Sequence, residues 1–275
     1  MALNNSINTN VGAMVALRSL NAVNNDLSKT QDRISTGLKV IGAKDDASSF
    51  AIAQGIRAEI KSIFAVQQGI ANGRGVSNVG LAGATAISNL LIDLKETVIQ
   101  GLNPGNTSEQ QGIINSDYGE LVGQILNFIQ NAEYNGRNLL QSGAANLNVI
   151  SDTNGGTLTV RSQDLEGTVY SQLNVQNLTN ISSASQALTQ ITTVINTVNV
   201  ALGQLGADAR SLEFQDSFLV SILDATEEGL GSIVDADMAK ESAKLQALQV
   251  KQQLAVQSLS IANAAPNILL GLFNS

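Results

Sequence analysis

Residues 234–262 read VDADMAKESAKLQALQVKQQLAVQSLSIA, and the spacing inside this stretch decides the fold. Val234, Met238, Leu245, Leu248, Ala255, Leu259 and Ala262 recur at alternating intervals of three and four, with Glu241 and Gln252 in the polar places. That stagger holds one stripe on one side of a helix, where it can run along a second helix. A further set, Ala243, Ala247, Val250, Leu254, Ile261 and Ala265, lies on a different face. A helix that is apolar on two faces needs more than one neighbour. The first face predicts a partner within the chain. The second, with Val250, Leu254 and Ile261 as its large members, predicts a surface between copies.

The intrachain partner lies at the other end of the sequence. Leu17, Leu20, Leu27, Ile34 and Leu38 follow the same alternation, with Asn24 and Gln31 filling the seam. The pattern predicts a long antiparallel helical pair, coiled-coil in character, in which Leu17, Leu20, Leu27 and Ile34 pack against Met238, Leu245, Leu248 and Leu259.

Between the ends, helical spacing runs from Ala47 to about Leu102 through Ile52, Ile56, Ile60, Ile63, Ile70, Val79, Ala86, Leu90, Leu94 and Val98. Such length is permitted because Pro104 and Pro266 are the sole prolines. Asn103-Pro-Gly-Asn106 breaks the run, and a new helix is expected from Thr107-Ser108-Glu109 through Ile129, its hydroxyls capping free amides. After Tyr134-Asn-Gly136 the period falls to two. Leu147-Asn-Val149 and Leu158-Thr-Val160 flank Asp152-Thr-Asn-Gly-Gly156, which predicts a hairpin. The stretch from Gly167 to Leu178 is read as a further strand, and helical spacing returns from about Ser183 to Leu230. The expected fold class is mainly α with a small β element at about 137–178.

Composition closes off most chemistry. The 275 residues contain no Cys, His or Trp, so imidazole bases, thiol nucleophiles and Cys/His zinc sites are excluded. With 23 acidic against 15 basic side chains and a net charge of −8, nucleic acid is not an expected partner. Neither a cleaved signal peptide nor a membrane span is expected. Asp45-Asp46 and the pair Asp235 and Asp237 resemble metal or acid–base motifs. Each pair, however, precedes a predicted helix, where carboxylates cap amides and complement the helix dipole, so all four are assigned to helix initiation. Gly73-Arg-Gly75 lacks both the third glycine and the preceding strand of a dinucleotide loop. Gly69, Gly73, Gly80 and Gly83 are read instead as sites of close helix approach or local bending. No catalytic residue, metal or cofactor is predicted.

Three segments carry a family pattern: Arg33-Ile-Ser-Thr-Gly-Leu-Lys-Val-Ile-Gly-Ala-Lys-Asp-Asp46, the turn Tyr134-Asn-Gly136, and the run through Pro266-Asn-Ile-Leu-Leu270. They resemble bacterial flagellins. Met1-Ala-Leu-Asn-Asn-Ser-Ile-Asn-Thr-Asn10, together with Lys251-Gln-Gln-Leu254 and Leu259-Ser-Ile-Ala-Asn263, is similar to the short alphaproteobacterial, Caulobacter-type filament subunits. The resemblance implies an inner layer formed by residues 1–36 and 235–275, a connecting spoke at 37–46 and an outer domain at 47–234, with no further outer domains. It implies a helical polymer used for swimming, located in the extracellular flagellar filament. Its partners would be the chain itself, sister flagellins, the flagellar cap, junction proteins, an export chaperone and the type III export apparatus. The resemblance extends to the hook–filament junction adaptors of the same superfamily, which stand as the alternative.

Overall fold

A computed structural model describes the backbone of residues 9–273 and the side chains of 9–264. Six α-helices occur in it: α1 Val11–Thr36, α2 Ala47–Gly101, α3 Ser108–Asn131, α4 Ser171–Asn174, α5 Ile181–Val234 and α6 Met238–Phe273. Four short strands, β1 Glu133–Tyr134, β2 Arg137–Asn138, β3 Leu147–Ile150 and β4 Thr157–Val160, form two antiparallel hairpins between α3 and α4. Two compact units result. One gathers the described residues up to Ala58 and from Ala225 onward, and the other holds Glu59–Asp224.

In the terminal unit, α1 begins at Asn10, whose side chain accepts the Ala13 N–H, and ends at Gly37, whose φ of 72° lets its N–H turn back to the Arg33 carbonyl. Beyond Gly37, the Lys39 N–H donates to Val234 O at 2.7 Å and the Ala236 N–H donates to Gly37 O at 2.8 Å. This bridge ties the two distant segments together over a small cluster of Val40, Ala53 and Val234, with Phe50, Leu230 and Ile233 packed on it. The cluster draws residues 47–58 and 225–234 into the terminal unit.

The central unit has a conventional core. Ile63, Ile70, Ile87, Leu91 and Leu94 of α2 meet Tyr118, Ile125 and Ile129 of α3, and α5 adds Ile191, Val194, Val198, Leu205 and Leu212. Every third or fourth residue of α5 from Ala184 to Leu205 is buried, the repeat of a helix with one continuous inward seam. One window of α2 is long and apolar enough to cross a membrane by composition, and its inward side chains belong to this core. Thr107 caps α3 in a capping box with Gln110. The Tyr118 hydroxyl donates to Leu173 O at 2.9 Å, and burial raises its pKa above the ordinary phenol range.

Both predicted turns form hairpins. Asn135 and Gly136 adopt φ of 50° and 74°, the left-handed pair that a two-residue hairpin turn requires. Asp152 closes the other turn by accepting the N–H groups of Asn154 and Gly156. Arg161, just after β4, fastens that hairpin to α5: its guanidinium donates to both oxygens of Asp208, which raises the Arg161 pKa. The strand expected at 167–178 is absent. Leu165, Val169 and Leu173 are all buried at intervals of four, so the segment turns as a π-helical stretch, Glu166–Tyr170, running into α4.

Of the four glycines singled out on α2, Gly73 and Gly83 sit under the hairpin region at distances that exclude a side chain. A Cβ on Gly83 would lie 2.8 Å from Ala132 Cβ and 2.9 Å from Leu140 Cδ1, and one on Gly73 would lie 2.5 Å from Val149 Cγ2. Gly80 has ordinary clearance and Gly69 faces open space. Gly83→Ala is therefore expected to destabilise the protein by about 1–3 kcal/mol through overpacking. Gly69→Ala should instead stabilise it by up to about 1 kcal/mol through helix propensity. Urea unfolding of the two variants, read at the tyrosines and by far-UV circular dichroism, checks the opposite signs.

Candidate assembly interface

The longest contact of the terminal unit is a helix pair, α1 running antiparallel to α6. Asn10 Nδ2 donates to Ala262 O at 2.7 Å, Gln252 Nε2 donates to Asn24 Oδ1 at 2.8 Å, and Arg33 pairs with Glu241 at 3.2 Å. These three ties fix the direction and register of the pair. On α6 the less exposed positions are Glu241, Leu245, Leu248, Gln252, Ala255, Leu259 and Ala262, the same residues that the spacing put on one stripe. Met238, at the helix start, is exposed.

On α1 the inward line is Ala13, Ala16, Leu20, Val23, Leu27, Thr30 and Ile34. Leu20, Leu27 and Ile34 thus lie in the seam. Leu17 does not: it is exposed, and Asn24 and Gln31 lie at exposed positions beside the seam. The alternation is kept but phased through alanines and Thr30, residues with too little apolar signal to be weighed against Leu17. Thr30 is fully buried with no hydrogen-bond partner for its hydroxyl, and the second carboxylate oxygen of Glu241 is likewise buried and unpartnered.

The acidic residues divide by role. Asp46 accepts the N–H groups of Ser48 and Ser49 and the Ser49 hydroxyl, capping α2; that hydroxyl and the backbone donors hold its carboxyl below the ordinary range. A lowered native pKa places this contribution at neutral pH and removes it only as pH falls through the acid end of the carboxylate range. Asp237 caps α6 through Ala239 and Lys240. Asp45 instead accepts from Ile41 and Gly42, closing the turn before α2, and the backbone of Asp235 forms the bridge with Leu38. Neither Asp45 nor Asp235 makes a helix cap among the described hydrogen bonds, because each is held by chain reversal one step earlier. No group of three or more potential metal ligands occurs among the described residues.

Burial is the telling property of this unit. Across all of α1 only Thr30 is buried, and on the described side chains of α6 only Glu241 and Leu248 are. Val250, Leu254 and Ile261 are 56%, 58% and 68% exposed, as are Val11, Met14 and Val15 of α1 to about half. This helix pair therefore carries exposed apolar side chains on both helices that no described residue buries.

Comparison with known proteins gives consistent matches. Residues 7–145 match the bacterial flagellin N-terminal helical region and residues 188–273 the bacterial flagellin C-terminal helical region. Flagellin FljK of Caulobacter vibrioides is 35% identical over 273 residues, covering 99% of this chain and 100% of the relative. A flagellin of Brucella melitensis is 36% identical, covering 98% and 99%. The crystal structure of Bacillus cereus flagellin superposes with a TM-score of 0.51 at 20% identity, over 55% of this chain and 88% of that one, which shows a shared fold.

The seam itself is testable. Thr30→Val exchanges an unpartnered buried hydroxyl for a methyl group and is expected to strengthen the α1–α6 pair by about 1 kcal/mol. Arg33→Gln leaves Glu241 buried without its cation and should weaken the pair by about 2 kcal/mol. Hydrogen exchange of α1 and α6 amides in the two variants should move in opposite directions.

Proposed function

Because the chain belongs to the bacterial flagellin family, as a structural subunit of the extracellular flagellar filament and not an enzyme, we propose that its end helices complete their folding only when neighbouring copies cover them. The observation that carries this reading is the near absence of burial in α1 and α6. A helix pair of this size loses backbone entropy of about 1–2 kcal/mol per ordered residue, and its intrachain seam covers only one side of each helix, leaving Val250, Leu254 and Ile261 more than half exposed. Isolated helices without tertiary cover are marginal in water. Covering the stripe of Val250, Leu254 and Ile261 with a second chain returns about 25 cal/mol for each Å² of apolar area buried. Assembly and ordering of the ends are then one event.

In this reading residues 1–36 and 235–275 form the inner layer of a helical homopolymer, 37–46 link it to the remainder, and 47–234 make the outer domain. Leu20, Leu27, Ile34, Leu245, Leu248 and Leu259 set the intrachain pairing. Self-assembly with identical copies and sister flagellins is the activity. Passage through the type III export apparatus without a cleaved leader, a chaperone that shields α6 beforehand, and growth beneath a cap beside junction proteins follow the same logic, since an uncovered apolar stripe has to be carried and delivered before it polymerises.

Leu254→Asp and Ile261→Asp place a charge on the stripe while leaving the intrachain seam untouched. Each is expected to abolish growth of filaments from short seeds, with the central unit melting as in the unaltered protein. Electron microscopy and calorimetry provide the two readouts. Filaments of normal length from either variant would refute the assignment of that face.

A further inference from the structure

The central unit carries an apolar groove and, on another element, an apolar knob that its own core does not use. The groove, of about 380 Å³, lies between α2 and the two hairpins; Val66, Gly69, Val76, Tyr134, Leu147 and Ile150 line it and Arg137 stands at its edge. Its floor is open because Gly69 has no side chain and a Cβ there would meet no atom within 4 Å. Tyr134 and Ile150 on its walls are themselves substantially exposed. No residue of α5 lines it.

The knob is on α5. Phe214 and Phe218, one helical turn apart, are 71% and 57% exposed, which makes them two of the largest apolar side chains left in water by this chain. Arg210 and Glu213, both exposed, flank them. The ion pairs of the described residues are Arg33–Glu241, Arg74–Asp216 and Arg161–Asp208, so Arg137, Arg210 and Glu213 are all uncommitted. The Arg74–Asp216 pair, at 2.9 Å, joins α2 beside the groove to α5 between the two phenylalanines. Groove and knob therefore lie at one level of the same unit but on different elements.

We propose that the Phe214–Phe218 knob of one copy seats in the groove of a second copy, with Glu213 reaching Arg137. The proposal rests on the self-assembly reading above and extends it to the central unit. Three features select another copy of this chain as the occupant. The groove falls within the roughly 300–1,000 Å³ range of pockets that enclose drug-sized ligands, room for two benzyl groups. Its edge is cationic where the knob presents a free carboxylate. Finally, a knob and a hole on different surfaces make a heterologous contact, which repeats from copy to copy and builds open helical assemblies instead of closed dimers. Because both features lie at one level, the contact joins neighbours side by side.

Seeded growth of the full chain tests this, read as the monomer concentration left when filaments stop growing. Phe214→Ser combined with Phe218→Ser removes the knob, and Gly69→Leu fills the groove from its open floor. Either is expected to raise the residual monomer concentration roughly tenfold or more, the equivalent of about 1.4 kcal/mol. Arg137→Glu and Glu213→Arg should each raise it, and the two together should restore it to within about twofold of the unaltered protein. Melting of each monomer checks that the unit is folded; should Gly69→Leu lower it, the exposed phenylalanines and the charge exchange decide the matter. Unchanged growth in the double Ser variant, or failure of the exchanged pair to restore growth, overturns the proposal while leaving assembly through α6 intact. Failure of the unaltered protein to grow from seeds would instead overturn the self-assembly reading itself.

Discussion

Two helices lying side by side cannot enclose a core. Each touches the other along one narrow line, and everything off that line remains in water. The contact between α1 and α6 is of this kind, and the rest of the terminal unit follows from it. Its specificity comes from polar ties at Asn10, Asn24 and Arg33 more than from volume filled by leucines. Polar groups in a seam specify register at some cost in stability.

The central unit solves the same problem in the opposite way. With three long or medium helices and two hairpins it closes a core of its own, and the aromatic-poor composition dictates how. Ala, Val, Ile and Leu must pack closely to exclude water, so α2 is stripped to glycine where the hairpin region presses on it at Gly73 and Gly83. Gly69 is different: the space above it is vacant, and that vacancy is what makes a groove beside the hairpins. The central unit thus closes a core of its own, whereas the α1–α6 pair leaves apolar side chains exposed.

Much of this was legible in the residues. The α6 stripe, the break at Pro104, the capping Thr107 and both turns could be read because each depends on neighbours within a few positions. Sequence and structure differ where local signals conflict. Leu17 outweighed Ala16 and Thr30 in hydrophobicity, yet the seam passes through the smaller residues because the ties to α6 set its phase. The segment 167–178 reads locally as a strand, yet Val169 and Leu173 sit four apart, a helical interval, and both are buried in the core that includes α3. Asp45 and Asp46 look equivalent in sequence, but only Asp46 reaches the free amides of α2; its neighbour turns back to Ile41 and Gly42.

By itself the sequence determined where the long helices run, that both ends seek partners, that α6 is apolar on a second face, and that His- or Cys-based chemistry is excluded. These are properties of periodicity and composition, and they need no coordinates. Only the tertiary structure decided which stagger of α1 meets α6, which glycines are pressed and which lies open, and that an aromatic pair on α5 is left outside the core at the level of an apolar groove. Such facts depend on the distance between residues far apart in the chain, and helical spacing, which repeats identically for every turn, carries no information about which turn of one helix stands opposite which turn of another.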